Sequence, residues 1–320
     1  MRDSDKQRGR TGKDIRPRYM VWENVCFAAE TLITCEDGYK RIADVCVGDR
    51  VKTLSGQYHT VAELHKTPNQ SVIDLKISGG ENLVVTPNHP FYVREKIYPS
   101  KNSYRRIVSE PKWVRAGELT KNHMVGYRID VPNLSADYIS QAEAWVLGRW
   151  LADGSLDLTK STPRIFVSCG LAKANYTRSK LSELNLFIGE SMPHETAVNF
   201  TFTSERFYSL ISSAGRGAEN KRVPPYVFRL PYSLQKDVLE GYLSGDGYKR
   251  RRGNNIEISA GTVSRELAYG ICRLIRNTYR VSANISTHGP KDGLIDGRVL
   301  HANFPVYTSP MCARVSWFAS

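Results

Sequence analysis

Leu147-Gly148-Arg149-Trp150-Leu151-Ala152-Asp153-Gly154 and, far downstream, Glu240-Gly241-Tyr242-Leu243-Ser244-Gly245-Asp246-Gly247 are two copies of one pattern. Each closes a run with apolar residues at helical spacing, Ser140 to Leu151 in the first copy and Leu234 to Leu243 in the second. Each places small residues four apart, Gly148 with Ala152 and Gly241 with Gly245. Positions i and i+4 share one helix face. Glycine inside a helix costs roughly 1 kcal/mol relative to alanine. The same cost in the same place twice predicts two helices packed there with their backbones in close approach. An acid follows in both copies, Asp153 and Asp246, and then a glycine. A carboxylate at a helix C-terminus meets the negative end of the macrodipole, and two such ends side by side add like-charge repulsion. Divalent cations would relieve it, and oxygen ligands shared with phosphate suit Mg²⁺. Paired ions flanking a phosphodiester activate water and stabilise the leaving oxygen. A lone Asp-Gly reads only as a helix stop, because glycine is enriched just past helix ends. The doubling argues for chemistry.

Outward from these helices, Leu171–Leu184 reads as a helix, Ile256–Ala260 as a strand and Ser264–Thr278 as a helix, with short strands after it. Residues 140–320 therefore look like two copies of helix, strand, helix and strands. The texture changes near Pro132. From Cys26 to about Asp130, short apolar runs (Thr31–Thr34, Val51–Leu54, Val72–Ile77, Leu83–Thr86) alternate with turn signals at Glu36-Asp37-Gly38, Val47-Gly48-Asp49, Ser55-Gly56 and Ser78-Gly79-Gly80. That spacing predicts a compact all-β domain. Residues 1–20 are polar and basic, and Tyr19-Met20-Val21-Trp22 reads as a short buried strand.

Lys and Arg number 45 against 32 Asp and Glu, a net charge of +13. Such an excess favours an anionic partner, nucleic acid or a membrane surface, although it also serves solubility. No apolar run approaches the roughly 20 residues needed to cross a bilayer, and the charged N-terminus lacks a signal-peptide core. The expected location is cytoplasmic, with no membrane partner. The six cysteines (Cys26, Cys35, Cys46, Cys169, Cys272, Cys312) form no C-x-x-C pair, so an important cysteine is expected to act alone.

The doubled helices resemble the signature helices of LAGLIDADG (DOD-type) homing endonucleases. The resemblance implies an α+β endonuclease over residues 136–320, built of two pseudo-symmetric αββαββα repeats at about 140–220 and 221–320. It also implies that Gly148, Ala152, Gly241 and Gly245 form the helix interface and that Asp153 and Asp246 bind the Mg²⁺ ions that cleave double-stranded DNA. The protein would act as a monomer with internal pseudo-symmetry. Two departures stand out, Arg149-Trp150 in place of smaller apolar residues and Ser244 within the second helix. Lys221-Arg222-Val223-Pro224 resembles the Lys-x-x-Pro element found at this place in endonuclease-bearing inteins, which implies that Lys221 stabilises charge on the scissile phosphate or polarises water; a solvated loop lysine is the other reading. Lys249-Arg250-Arg251-Arg252, after the second acid, suits phosphate contacts that position DNA without reading its sequence.

The β-rich stretch resembles the Hint splicing domain of inteins. The matching residues are Cys26 through Ile33, Gly48-Asp49-Arg50-Val51 and Thr86-Pro87-Asn88-His89-Pro90-Phe91. The resemblance implies a horseshoe-like all-β domain over residues 26–135. In it the Cys26 thiol attacks the carbonyl of Val25, His89 protonates the leaving nitrogen, and Thr86 with nearby amides holds the carbonyl oxygen. No His-Asn pair occurs, so the finishing residues of splicing are not recognised; His301-Ala302-Asn303 has the wrong spacing. A separate C-terminal intein piece would be needed to finish. Residues 1–25 would be host sequence, and Glu23-Asn24-Val25 resembles the Glu-Asn-Val motif of DNA cytosine-5 methyltransferases. The expectation is thus an intein combining partial splicing chemistry with a metal-dependent DNA endonuclease. A decayed DNA-binding module and a processing-only Hint protein are the alternatives.

Overall fold

Ser140 and Glu143 start the first signature helix by reciprocal bonds: Ser140 Oγ accepts from the Glu143 amide at 3.1 Å, and the Glu143 carboxylate accepts from the Ser140 amide at 2.7 Å. This capping box satisfies two of the amides that a helix start leaves unpaired. The protein is seen in a computed structural model that describes residues 25–80, 82–99, 107–252 and 255–288, and four short strands beyond them. Its α-helices among the described residues are α1 (Gln141–Asp153), α2 (Leu171–Ser182), α3 (Glu205–Ile211), α4 (Tyr232–Asp246) and α5 (Arg265–Tyr279). Both signature helices stop at the glycine after the acid, Gly154 and Gly247, each with extended backbone.

Each signature helix leads straight into an antiparallel sheet, and the two sheets share one strand order. After α1, Gly154–Asp157 pairs with Arg164–Gly170, which pairs with Ala197–Phe202, which carries Gly189–His194 at its outer edge. After α4, Gly247–Arg252 pairs with Asn255–Thr262, which pairs with Val306–Thr308, which carries Ser286–His288. Met311–Ala313 also pairs with Asn255–Thr262, and Gly293–Ile295 with Arg298–Leu300 forms a separate hairpin. The first half runs α, β, β, α, β, β, α from α1 to α3. Strand Arg164–Gly170 alternates buried and less buried positions, with Ile165, Val167 and Cys169 turned to the core, as a strand with one covered face requires. One core unites α1, α4, α5 and the first sheet; Trp150, Leu151, Val238, Tyr242, Phe200 and Leu274 are among its most buried members.

Between Val25 and Gly126 the described residues form strands and short 3₁₀ turns and no α-helix. Leu32–Cys35 sits between Gly38–Arg41 and Arg50–Lys52, and Tyr58–Thr60 closes that sheet. Pro90–Ile97 pairs with Lys112–Arg115, His123–Val125 and Ile107–Val108. The core here is small, centred on Val85, Phe91, Val93 and Ala116.

This β-rich part rests on the outer face of α5. Tyr39 meets Tyr269 edge-on at 5.7 Å, and Arg276 lies over the Tyr127 ring at 4.5 Å. Asp130, in the connection between the parts, is buried beneath them. Its carboxylate accepts from Arg273 Nε at 2.6 Å and Nη2 at 2.8 Å, from Asn277 Nδ2 at 3.0 Å and from Lys52 Nζ. Asn277 Nδ2 also reaches Gln235 Oε1 at 2.8 Å, so α4 joins the same network. Two cations and several donors hold the Asp130 carboxyl down at about 2 despite its burial.

Candidate functional site

α1 and α4 touch backbone to backbone. A methyl group added at Gly148 would lie 1.8 Å from Val238 O and 2.8 Å from Tyr242 N; one at Gly241 would lie 2.0 Å from Trp145 O and 3.0 Å from Arg149 N. No side chain fits at either place, so the two glycines set the approach reciprocally. Further along the same seam, Ala152 faces Gly245, where an added methyl would meet the Ala152 Cβ at 2.5 Å and Asp153 Oδ2 at 2.9 Å. The seam therefore delivers both acids to one place, the adjoining C-terminal ends of the two helices.

Asp246 shows the consequence. Burial, and then the charge of Asp153 beside it, push its carboxyl up to about 6. Lys221 is the third member. It is 6% exposed, and its Nζ donates to Trp150 O at 2.9 Å and Ala152 O at 3.3 Å, while lying 5.0 Å from the centre of the Trp150 ring. Burial draws its ammonium down to about 8, against the pull of Asp153 and Asp246. The reading of Lys221 as a solvated loop lysine is thereby excluded. Its backbone is pinned as well: Ser264 Oγ, which caps α5, donates to Lys221 O at 2.5 Å, and the Arg222 amide donates to Ala214 O at 2.8 Å.

Two cations here were not singled out from the sequence as functional residues. Lys173 Nζ donates to Gly245 O at 2.6 Å and so caps a free carbonyl at the end of α4. Arg149, known from the sequence only as a departure, is 1% exposed; Nη1 donates to Asp153 Oδ2 at 2.6 Å and Nη2 to Ser168 O at 2.8 Å. No sequence signal separated Lys173 from an ordinary surface cation on a helix, and nothing in the sequence assigned a role to Arg149. Lys249, Arg250, Arg251 and Arg252 lie in strand Gly247–Arg252, directly after the second acid, and their side chains fall outside the described residues.

The acid pair offers only hard oxygen donors on two converging helix ends, a set that suits Mg²⁺. The like-charge strain on Asp246 is what a cation would remove. Among the described residues no cluster of three or more His, Cys, Asp or Glu forms a metal cage, so an ion here would complete its shell with phosphate oxygens and water, as Mg²⁺ commonly does.

The residues expected to act at Cys26 also come together. Thr86, 2% exposed, accepts from the Cys26 amide through Oγ1 at 3.0 Å, and its own amide donates to Cys26 O at 3.0 Å. This corrects the role expected for Thr86: its hydroxyl sits on the nitrogen of the Val25–Cys26 peptide, on the far side from the carbonyl oxygen. The extended pairing of residues 26–28 against 84–86 dictates this, as the bridge between Phe27 and Val85 turns the Cys26 amide toward Thr86. His89 is wedged between Phe27, 4.1 Å away, and Phe91, 5.5 Å away. Its buried Nδ1 has no partner among the described atoms, and burial lowers its pKa. Val25 and Cys26 line an apolar cleft of about 600 Å³ with Ile33, Val51 and Val61. Glu23, Asn24, His301 and Asn303, and the strand expected at Tyr19–Trp22, lie outside the described residues.

No family model matches the chain. Curated relatives include the ATP-dependent DNA helicase Hel308 of Thermococcus kodakarensis, 24% identical over 83% of this chain and 29% of that protein. The iron-sulfur cluster assembly SufBD family protein Rv1461 of Mycobacterium tuberculosis is 22% identical over 78% of this chain and 32% of its own length. The DNA polymerase of Thermococcus sp. strain GE8 is 24% identical over 66% and 13%. The chain thus spans about a third or less of the proteins named. Among solved structures, I-DmoI in complex with DNA and Mn has a TM-score of 0.32 at 14% identity, over 53% of this chain and 88% of that one. The N-terminal LAGLIDADG domain of DUF199/WhiA has a TM-score of 0.35 at 14% identity, over 57% and 79%. No helix among the described residues is long and apolar enough to cross a membrane.

Proposed function

We propose that residues 136–320 form a LAGLIDADG-type, divalent-metal-dependent endonuclease acting on double-stranded DNA, and that residues 26–135 form a Hint domain that begins protein splicing at Cys26. The observation that carries the nuclease reading is the convergence of Asp153, Asp246 and Lys221 at the ends of two helices held together by Gly148 and Gly241. Charged groups are rarely buried unless paired. Lys221 buried beside two half-buried carboxylates, at a seam that forbids side chains, is a costly arrangement for a merely structural one.

The geometry supports a division of labour. Asp153 and Asp246 present oxygens to a divalent cation, and above about pH 6 Asp246 is ionised. Such a cation supplies Lewis-acid stabilisation of charge on phosphate oxygens and acidifies water. Lys221, locked onto the α1 carbonyls, keeps its positive charge within electrostatic reach of both acids, where it can stabilise a phosphate that gains charge. Near pH 8 part of its population is neutral and able to take a proton from attacking water. Lys249 to Arg252, entering the second sheet beside Asp246, supply phosphate contacts, in keeping with the net charge of +13.

At Cys26 the thiol sulfur bonds to the Val25 carbonyl carbon, the C–N bond breaks, and the thiol proton ends on the new Cys26 amine. Thr86 Oγ1 holds that nitrogen. Burial keeps His89 neutral at pH 7, so it first takes the thiol proton and then returns it to nitrogen. A helicase, an iron-sulfur assembly protein and a polymerase each match most of this chain through a small part of their own length, so the matched parts of this chain overlap although the activities named differ. That supports a segment inserted into different hosts; the reading of residues 1–25 as methyltransferase-like flanking sequence rests on the Glu23-Asn24-Val25 motif alone.

Incubation with Mg²⁺ and a plasmid library carrying candidate target sequences tests the nuclease. Double-strand cleavage that Asp153→Asn and Asp246→Asn abolish, and that Lys221→Met slows by about a hundredfold or more, supports it; cleavage intact in the Asp variants rejects the metal assignment. Dithiothreitol tests the splicing half, by releasing a 25-residue peptide from the wild type and none from Cys26→Ala. One observation favours a second reading, a DNA-binding module without cleavage: Arg149 already neutralises Asp153. Retarded migration of DNA with no cleavage in any divalent ion would select it.

A further inference from the structure

Among the described residues Arg149, 1% exposed, is more deeply buried than Lys221 and bonds directly to Asp153 of the acid pair. Its guanidinium crosses from α1 to the surface of α4, and the missing side chain of Gly245 makes the room: a methyl there would stand 2.0 Å from Arg149 Nη1. Nη1 holds Asp153 Oδ2 at 2.6 Å, Nη2 holds Ser168 O in strand Arg164–Gly170 at 2.8 Å, and the buried Nε has no partner among the described atoms. A buried donor left unmade costs about 1–3 kcal/mol, so the residue is poorly explained as a device for stability alone.

We propose that Arg149 is a positioning residue that occupies the place of a cation at Asp153, competes with a divalent ion for that carboxylate, and so sets the metal affinity of the site. This rests on the proposed metal-binding role of Asp153 and Asp246. With one Asp153 oxygen taken by a guanidinium that burial prevents from swinging into solvent, an arriving ion meets a pair already carrying a compensating charge. It binds by way of Asp246 and the remaining Asp153 oxygen, or it displaces Nη1. The acids are thereby kept together without metal, at the expense of metal affinity. Removing the positive charge reverses both effects: the metal-free helix ends repel more strongly, and the site binds an ion more tightly.

The test uses the full chain and Mn²⁺ alone, without DNA, and measures binding by titration calorimetry and the unfolding temperature with and without the ion. Arg149→Gln, which retains hydrogen-bonding capacity without charge, and Arg149→Leu are expected to bind Mn²⁺ about tenfold or more tightly than the wild type, since an opposite charge next to a carboxylate is worth one to three pKa units. Both are expected to unfold at lower temperature without Mn²⁺ and to regain more on its addition, as linkage requires. Arg149→Lys is expected to keep wild-type affinity, and Asp153→Asn added to Arg149→Gln to erase the gain. Affinity unchanged or weaker in Arg149→Gln overturns the inference while leaving the metal site standing, and so does a gain that survives Asp153→Asn. No Mn²⁺ binding by any of the proteins overturns the metal site and this inference together.

Discussion

At the level of single residues, the site is an exchange of stability for charge placement. Asp246 has a folded pKa of about 6, above its ordinary value of 3.8. A carboxyl raised on folding favours the protonated form in the native state, so its contribution is lost as pH rises through the folded value. At pH 7.5 ionised Asp246 therefore opposes folding, by roughly 1–3 kcal/mol after allowance for its partial exposure. Asp246→Asn should raise the unfolding free energy by that amount at pH 7.5 and by little at pH 4, while ending cleavage. Urea unfolding at the two pH values checks it, and a variant less stable than wild type at pH 7.5 refutes the electrostatic account. The acids themselves were legible because the pattern repeats. Lys221 was recognised only through its motif: next to Arg222 it reads as a surface lysine, and its burial comes from carbonyls about 70 positions earlier, at Trp150 and Ala152. Arg149 was visible as an oddity whose meaning depends on Gly245 across the seam.

At the level of elements, the helix pair obeys its glycines. Alanine is the better helix former by about 1 kcal/mol, so in an isolated helix Gly241→Ala would stabilise. Here the new methyl would stand 2.0 Å from Trp145 O, and α4 must retreat from α1. Overpacking of this kind costs about 1–3 kcal/mol, with the backbone contact itself at stake. Gly241→Ala and Gly148→Ala are each expected to lower stability by roughly 2 kcal/mol or more net of propensity, and to reduce cleavage as the acids separate. Thermal unfolding with a parallel activity measurement decides this; a stabilised, fully active Gly241→Ala would mean that the helices do not meet there. The helices were readable because caps and stops are local: Ser140, Ser264, Gly154 and Gly247 mark ends within a residue or two of those observed. The strands between α1 and α3 were not resolved as separate elements. Strand Gly189–His194 is largely exposed, so it carries no apolar alternation, and it is specified by pairing with Ala197–Phe202.

At the level of the whole molecule, the question is what joins the β-rich part to the helices. Sequence offered only a change of texture near Pro132, because Asp130 meets Arg273 across 143 positions and neither residue carries a local signal. The junction is polar and tightly bonded: Asp130 serves Lys52 from the β-rich part and Arg273 and Asn277 from α5, while the Tyr232 hydroxyl of α4 donates to Asp130 O at 2.8 Å. Arg273 also lies over the Phe228 ring at 3.9 Å. Breaking a buried ion cluster by removing one sign leaves the other uncompensated, at about 3–5 kcal/mol. Asp130→Asn is expected to lose that much at pH 7 and to become cleavable by protease in the 126–139 connection. The pH dependence identifies the cause. Asp130 has a folded pKa of about 2 against an ordinary 3.8, so its stabilisation is complete above the unfolded value and disappears as pH falls through the folded one. The deficit of Asp130→Asn relative to wild type should therefore stay constant from pH 7 to about 5 and shrink steadily between about 4 and 2. A deficit independent of pH would assign the loss to shape and hydrogen bonding, and would remove charge from the account of how the two parts are held together.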